Sequence, residues 1–321
     1  MALTIIKAIK EKSAVSVKHM LHQRIAGWES PRSHETLHAS DLMKDKEFCP
    51  REHAFLTMGI VKKKAEFIGT ALRMTFDHGR DLEHRIRDNY LRDLVVGYWS
   101  CGVCGQQHPT FGKEPKVKCA KCGWGHQWRY VEPRFTSPYS GISGGLDLLL
   151  DVGEPKLRIV ELKSMKDEDF KKLAAPLAEH NWRTRLYLRL ADESDHHISE
   201  RVNTKTAHIL YCTKGFGTKE AFGNLKEEGI KDAPFSPFKE FVVTRDDAQS
   251  DVQVARARAL HVWKQNPSAG LPCGICHNGL TKRAQGCLAV AACWSGQYPA
   301  TISWTENGAV KHPGKKVIEG E

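Results

Sequence analysis

The chain has 321 residues, a formal net charge of +10 and a pI near 9.1, long enough for one large domain or two smaller ones with a real core. Charged residues make up 27% and hydrophobic residues 40%, an ordinary globular balance that argues against a disordered or fibrous chain. No apolar run approaches the roughly eighteen residues of a membrane span, and the opening MALTIIKAIKEKSAV lacks a secretory signal's long apolar stretch and cleavage site. No membrane is expected, and the expected compartment is the cytoplasm. The positive excess suits a polyanionic partner, nucleic acid being the commonest.

Residues 1–37 read as a helical lead-in. Ser40 caps a short helix (SDLMKDKEF) that stops before Cys49-Pro50, because proline disfavours helix in the residue before it. Pro50 then suits the first turn of the next helix, PREHAFLTMG. From 68 to 95, Ile68, Leu72, Phe76, Gly79, Leu82, Ile86 and Tyr90 recur at helical spacing, with Glu83 on or beside that apolar face.

A Gly-, Pro- and Cys-rich insert over 99–128 follows. Cys101 and Cys104 form one C-x2-C, and Cys119 and Cys122 a second after fourteen intervening residues. In a reducing cytoplasm such pairs read as metal ligands rather than disulfides, and this spacing suits a closed, structural zinc ribbon with four cysteine ligands. Lys113, Lys116, Lys118, Lys121 and Arg129, interleaved with Trp124 and Trp128, suit DNA backbone contact and base stacking. A ribbon acting only as a folding unit or protein contact is the competing reading.

Residues 141–163 (GISGGLDLLLDVGEPKLRIVELK) read as a β-hairpin turning at Gly153-Glu154-Pro155. Centring the turn on residue 154 sets Asp147 opposite Glu161, Leu149 opposite Ile159 and Gly145 opposite Lys163. Alternation then gathers Asp147, Glu161 and Lys163 at one end of an apolar strand pair. Directly opposed like charges are destabilising, and a divalent cation resolves the conflict, since Mg²⁺ is usually held by one or two carboxylates plus phosphate oxygens. Lys163 can then orient water or stabilise charge at a phosphate, and Gly145 leaves room for it. The competing reading is a solvated hairpin end. A helix near 170–192, a strand at 206–212, a helix near 247–265, a cysteine-rich stretch and a polar tail over 297–321 complete the chain.

GGLDLLLD followed by IVELKS resembles the core of PD-(D/E)XK nucleases, with Leu146-Asp147 standing where that superfamily often has Pro-Asp. DHGRDLEH is similar to the helix that adds a further metal ligand in the RecB-like branch, which includes phage exonucleases and CRISPR-associated RecB-like iron–sulfur nucleases. This resemblance implies Glu83 as that ligand, with His84 as the alternative if the register shifts by one. HNWRTRLY is similar to the branch's Q-x3-Y helix: Tyr187 fits, as catalytic contact or as core, Arg183 stands in place of glutamine, and His180 lies one turn earlier. Cys49-Pro50-Arg51, Ile275-Cys276, Ala284 with Cys287, and Cys293-Trp294 match the branch's cysteine plan, one before the core and three after it. They imply Cys49, Cys276, Cys287 and Cys293 as ligands of a 4Fe–4S cluster. Cys273 is a surplus candidate, and a local zinc site of Cys273, Cys276, Cys287 and Cys293 is the alternative.

The expected fold is therefore α/β: a PD-(D/E)XK, restriction-endonuclease-like core over 38–98 and 129–296, a mixed sheet flanked by helices. The zinc ribbon at 99–128 interrupts it. The expected activity is Mg²⁺- or Mn²⁺-dependent hydrolysis of DNA, most simply from ends, in recombination, repair or phage DNA processing, in the host cytoplasm if phage-encoded. The alternative is a non-catalytic DNA-binding or assembly module carrying the zinc and iron–sulfur sites. A helicase or single-strand annealing partner and a homo-oligomer are both compatible with the reading.

Overall fold

The computed structural model describes residues 17–29, 34–43, 47–125, 128–215, 236–295, 303–304 and 310–311. In chain order the elements are α1 (Val17–Ile25), β1 (Gly27–Glu29), β2 (Leu37–His38), α2 (Pro50–Thr57), β3 (Glu66–Ile68), α3 (Thr70–Arg85), β4 (Tyr98–Cys101) and β5 (Trp128–Val131). There follow β6 (Arg134–Thr136), β7 (Ile142–Gly145), β8 (Leu148–Leu150), β9 (Leu157–Met165), α4 (Asp167–Lys172), α5 (Ala178–Glu193), β10 (Val202–Thr213), β11 (Phe238–Thr244), α6 (Asp251–Gln265), α7 (Lys282–Gln285) and α8 (Val290–Ser295). The chain is mixed α/β. Among the described residues no helix is long and apolar enough to cross a membrane.

The central sheet has four strands in the order β11-β10-β9-β8. β9 and β10 are parallel, and the outer pairs are antiparallel. The connection between the parallel strands runs through α4 and α5, the helical crossover that parallel neighbours require. Alternation along β9 divides two cores. Leu157 and Ile159 join Leu149, Ala207, Leu186 and Leu190, with Leu260 and Trp263 of α6 behind. Val160 and Leu162 join Leu148 and Leu150 and pack on Trp99, Trp128 and Tyr130 of β4 and β5. Helices α5 and α6 thus cover one face of the sheet, and β4 and β5 together with the end of α3 the other, each buried Leu or Ile contributing roughly 1.5–3 kcal/mol.

The hairpin register is the expected one, Leu149 opposite Ile159 with the turn residue Gly153 at φ +82°, a left-handed conformation that glycine tolerates. Its first strand is not continuous, however. The chain breaks at Leu146-Asp147, and β7 instead joins β2 and β6 in a separate three-stranded sheet, with Gly145 opposite Arg134. The expected helix at 170–192 is two helices, separated over 173–177 where Pro176 falls, and the strand at 206–212 begins earlier, at Val202. The helix expected from Ser40 is a 3-10 turn over Ala39–Met43, with 44–46 outside the described residues. In the lead-in, helix gives way to strand at Gly27, and residues 1–16 and most of the tail also lie outside the description. The two ends of the insert are paired as β4 and β5, from Tyr98 opposite Val131 to Cys101 opposite Trp128.

The helix expected over 68–95 ends at Arg85 and widens into a π-turn over Ile86–Tyr90. Gly79 is where α3 crosses β9: a Cβ there would fall 2.9 Å from Ser164 Oγ. That close crossing brings the last turn of α3, and Glu83 with it, beside the end of β9.

Candidate active site

Asp147 occupies the break between two sheets, so its side chain is fixed by hydrogen bonds and not by strand pairing alone. The Leu162 backbone N–H donates to Asp147 Oδ2 at 2.9 Å. Lys163 Nζ lies 3.2 Å from the same oxygen and 2.7 Å from Glu161 Oε1, and donates to the Leu162 carbonyl at 2.7 Å. One ammonium therefore bridges the two carboxylates. Burial pulls the Lys163 pKa down, but Glu161 and Asp147 outweigh it and the net shift is upward.

Glu161 is 2% exposed and has a second cation, Arg183, whose NH2 lies 3.0 Å from Oε1. Arg183 thus offsets a buried carboxylate that would otherwise be costly. Burial, with Asp147 adding to it, still holds the Glu161 pKa above the usual range, against Lys163 and Arg183.

Glu83, Glu132 and Asp147 offer carboxylate oxygens that all lie within 4.8 Å of one another. Burial, then Asp147 and Glu132, push the Glu83 carboxyl up to about 7, and burial with Asp147 raises Glu132 as well. Arg87 approaches Glu83 only to 4.0 Å and is engaged at 2.8 Å by Asp88. An all-oxygen, carboxylate-rich set of this kind suits hard cations such as Mg²⁺ or Mn²⁺. Glu83 lies in this group, whereas His84 is exposed and outside it. Glu161 also stands outside it, bound to Lys163 and Arg183, while Glu132, which no sequence motif marks, stands inside. Its one signal is position, a single acidic residue directly after an aromatic strand. Gly145 was expected to make room for Lys163; its open side instead faces Glu132 Oε2, 3.2 Å from where a Cβ would be.

Tyr187 is 8% exposed and packs in the main core, its ring against Gly144, so among the two readings its surroundings are those of a core residue. His180 Nδ1 pairs with the Tyr211 hydroxyl at 2.8 Å. Burial, with Lys163 and Arg183, lowers its pKa to about 4, so it is neutral at physiological pH.

The insert cysteines are gathered at metal spacing: Cys101 and Cys122 Sγ lie 3.5 Å apart, Cys104 and Cys119 Sγ 3.7 Å apart. A tetrahedral thiolate set with Zn–S of about 2.3 Å separates its sulfurs by about 3.8 Å. Backbone N–H groups of Cys104 and Val103 push the Cys101 thiol down to about 6, favouring the thiolate a metal needs. Trp128 is buried and donates from Nε1 to the Val117 carbonyl at 3.1 Å, so it is unavailable for the base stacking expected of it. Trp124 is 59% exposed and remains available.

Cys49, Cys273, Cys276, Cys287 and Cys293 line a single cavity of about 220 Å³. Arg51 closes one side, donating to the Pro272 carbonyl at 2.9 Å, and Arg283 pairs with Glu52 at 2.6 Å. The structure therefore joins Cys49 to the C-terminal cysteines across more than two hundred residues of chain. These sulfurs are not drawn together as the insert cysteines are. Cys212 is buried on β10, where desolvation raises its thiol to about 11.

No family model matches the chain, and no curated protein matches it. Among solved structures it is similar to one described as SSO0001, at 12% identity and a TM-score of 0.33 over 83% of this chain and 88% of that one. A likeness that slight carries no argument.

Proposed function

We propose that the protein is a divalent-metal-dependent deoxyribonuclease with a PD-(D/E)XK core of the RecB-like kind, attacking DNA from its ends. The observation that carries the reading is the constellation at the sheet break: Asp147 hydrogen-bonded to Leu162 N–H, Glu161 and Lys163 on the neighbouring strand, and Glu83 brought in by α3. A solvated hairpin end would not bury Glu161 at 2% exposure.

Glu83, Asp147 and, once Lys163 turns away, Glu161 are the residues to hold Mg²⁺ or Mn²⁺. Such an ion, when bound, polarises a phosphate oxygen and makes water a better nucleophile. Lys163 Nζ would be available to donate to a phosphate oxygen or to orient the attacking water, and Arg183 opposes the burial that favours the protonated form of Glu161. Beside these groups runs a cleft of about 480 Å³ lined by Gly79, Phe76, Arg80, Lys163 and Lys214. Its basic and aromatic side chains suit a nucleic-acid strand without base-specific readout.

In this reading the four insert cysteines hold zinc, as their short sulfur spacing supports. Cys49, Cys276, Cys287 and Cys293 hold a 4Fe–4S cluster, with exposed Cys273 in reserve. A cluster of four irons needs its thiolates spread around a cavity, which fits the C-terminal arrangement better than one tetrahedral ion does. Its role would be a staple between chain segments, remote from the cutting chemistry.

The test compares linear with covalently closed circular DNA, single- and double-stranded, with Mg²⁺ or Mn²⁺. Loss of the linear forms with persistence of the circles is expected. Discrete fragments from a closed circle would refute end-directed attack, and no cleavage of any form would leave a DNA-binding or assembly module.

A further inference from the structure

Glu132 belongs to none of the nuclease motifs, yet it is one of the three carboxylates gathered within 4.8 Å. It follows directly on β5, the strand by which the chain leaves the cysteine insert. That strand is held from several sides. Its register with β4 sets Trp128 opposite Cys101, and Arg92 donates to the Trp128 carbonyl at 3.2 Å. Trp128 and Tyr130 are buried against Leu148, Leu150, Val160 and Leu162, behind the strands that carry Asp147, Glu161 and Lys163. On the other side of Glu132, the Pro133 carbonyl accepts the Leu146 N–H at 3.1 Å, stitching this segment to the residue before Asp147. A Cβ on Gly145 would fall 3.2 Å from Glu132 Oε2, closer than ordinary van der Waals contact. Glycine leaves open the place this carboxylate takes.

We propose that Glu132 is a ligand of the divalent cation at this centre, and that the metal held by Cys101, Cys104, Cys119 and Cys122 sets how tightly that cation binds. The cysteine site does so by fixing the strand that delivers Glu132. The proposal rests on the reading of Glu83 and Asp147 as metal ligands, though not on DNA cleavage. Of the three carboxylates, Lys163 reaches only Asp147 within ion-pair distance. Oxygen ligands from a helix end, a sheet break and the insert's return strand then converge on one hard cation.

The experiment titrates Mn²⁺ alone into the full zinc-loaded chain by calorimetry, without DNA. Glu132→Gln keeps shape at a solvent-facing position and should weaken Mn²⁺ binding about tenfold or more. Cys122→Ser, with zinc loss confirmed by metal analysis, should weaken it by a similar factor, and the double variant should be no weaker than either, because one cause underlies both. Should Cys122→Ser unfold, Arg92→Lys, which keeps all four thiols, should weaken Mn²⁺ binding in the same direction by a smaller factor. Wild-type affinity in Glu132→Gln overturns the ligand assignment. Wild-type affinity in a folded, zinc-free Cys122→Ser, or unchanged affinity in Arg92→Lys, overturns the coupling. A chain that binds Mn²⁺ in this pattern but cuts no DNA upholds the proposal and refutes the nuclease reading, whereas a wild type that binds no Mn²⁺ refutes both.

Discussion

In the metal-free chain Glu83 should be a liability at neutral pH, and Glu83→Gln should relieve it. The side chain is 25% exposed, and burial, then Asp147 and Glu132, raise its pKa from 4.5 to about 7. A carboxyl with a raised folded pKa holds its proton more tightly in the folded state. The stability it allows is full below the unfolded pKa and is lost as pH rises through the folded one. A shift of that size corresponds to about 3 kcal/mol at 1.36 kcal/mol per pH unit, and solvent screening of the exposed quarter reduces it to about 2. Without added divalent cation, Glu83→Gln should differ from wild type by about half a kcal/mol at pH 5 and be about 2 kcal/mol more stable at pH 8. That difference raises Tm by about 4 °C in a chain of this size. Thermal melts followed by circular dichroism, with zinc retained, measure it. Millimolar Mn²⁺ should reverse the order, since it stabilises only the chain that binds it well. A Glu83→Gln variant less stable than wild type at pH 8, or a difference that does not change with pH, would refute the reasoning.

Lys163→Met should abolish cleavage while leaving the far-ultraviolet circular dichroism spectrum intact, and full activity in this variant would remove it from the site. Gly79→Ala should push Ser164 Oγ aside and, with about 1 kcal/mol regained in helix propensity, change stability by no more than about 1 kcal/mol; thermal melts measure it, and cleavage should fall by more than stability because Glu83 rides on the same helix. Purified without oxygen, the protein should be brown and contain both iron and zinc. Cys287→Ser should lose iron and keep zinc, and Cys119→Ser the reverse, both read by elemental analysis and visible absorption.

The hairpin register was legible because two strands of alternating pattern flank an unmistakable turn at Gly153, which leaves one pairing that keeps Leu149 and Ile159 on the core side. The insert cysteines were legible for a similar reason, since short-range spacing carries their geometry. Glu132 was not. Its partners Glu83 and Asp147 lie in other elements, and only the packing of Trp128 and Tyr130 behind the sheet sets its place. Arg183 was visible as a departure from the motif that the sequence resembles, but its pairing with Glu161 follows from the crossover geometry of α5 over β9. β11 escaped notice because, at the sheet edge, most of its residues are partly or fully exposed and only Val243 is deeply buried, leaving little apolar alternation to read. The break at Leu146-Asp147 escaped for the opposite reason: apolar residues on both sides disguise two strands as one.

The contacts of α2 bear on the order in which the protein assembles during synthesis. Its Ala54 and Phe55 are fully buried in the same core as Val254, Ala257 and Leu260 of α6, and Lys264 reaches back to the His34 carbonyl at 3.0 Å. Arg283 binds the Glu47 carbonyl at 2.9 Å. A segment that leaves the ribosome early thus waits for about two hundred further residues before its apolar side is covered, some ten seconds or more at ordinary elongation rates. During that interval the nascent chain carries an open hydrophobic face, the kind of surface chaperones bind. A ribosome stalled before α6 would hold a chain whose four sheet strands are already synthesised but whose early helix lacks the partner formed by Val254, Ala257 and Leu260.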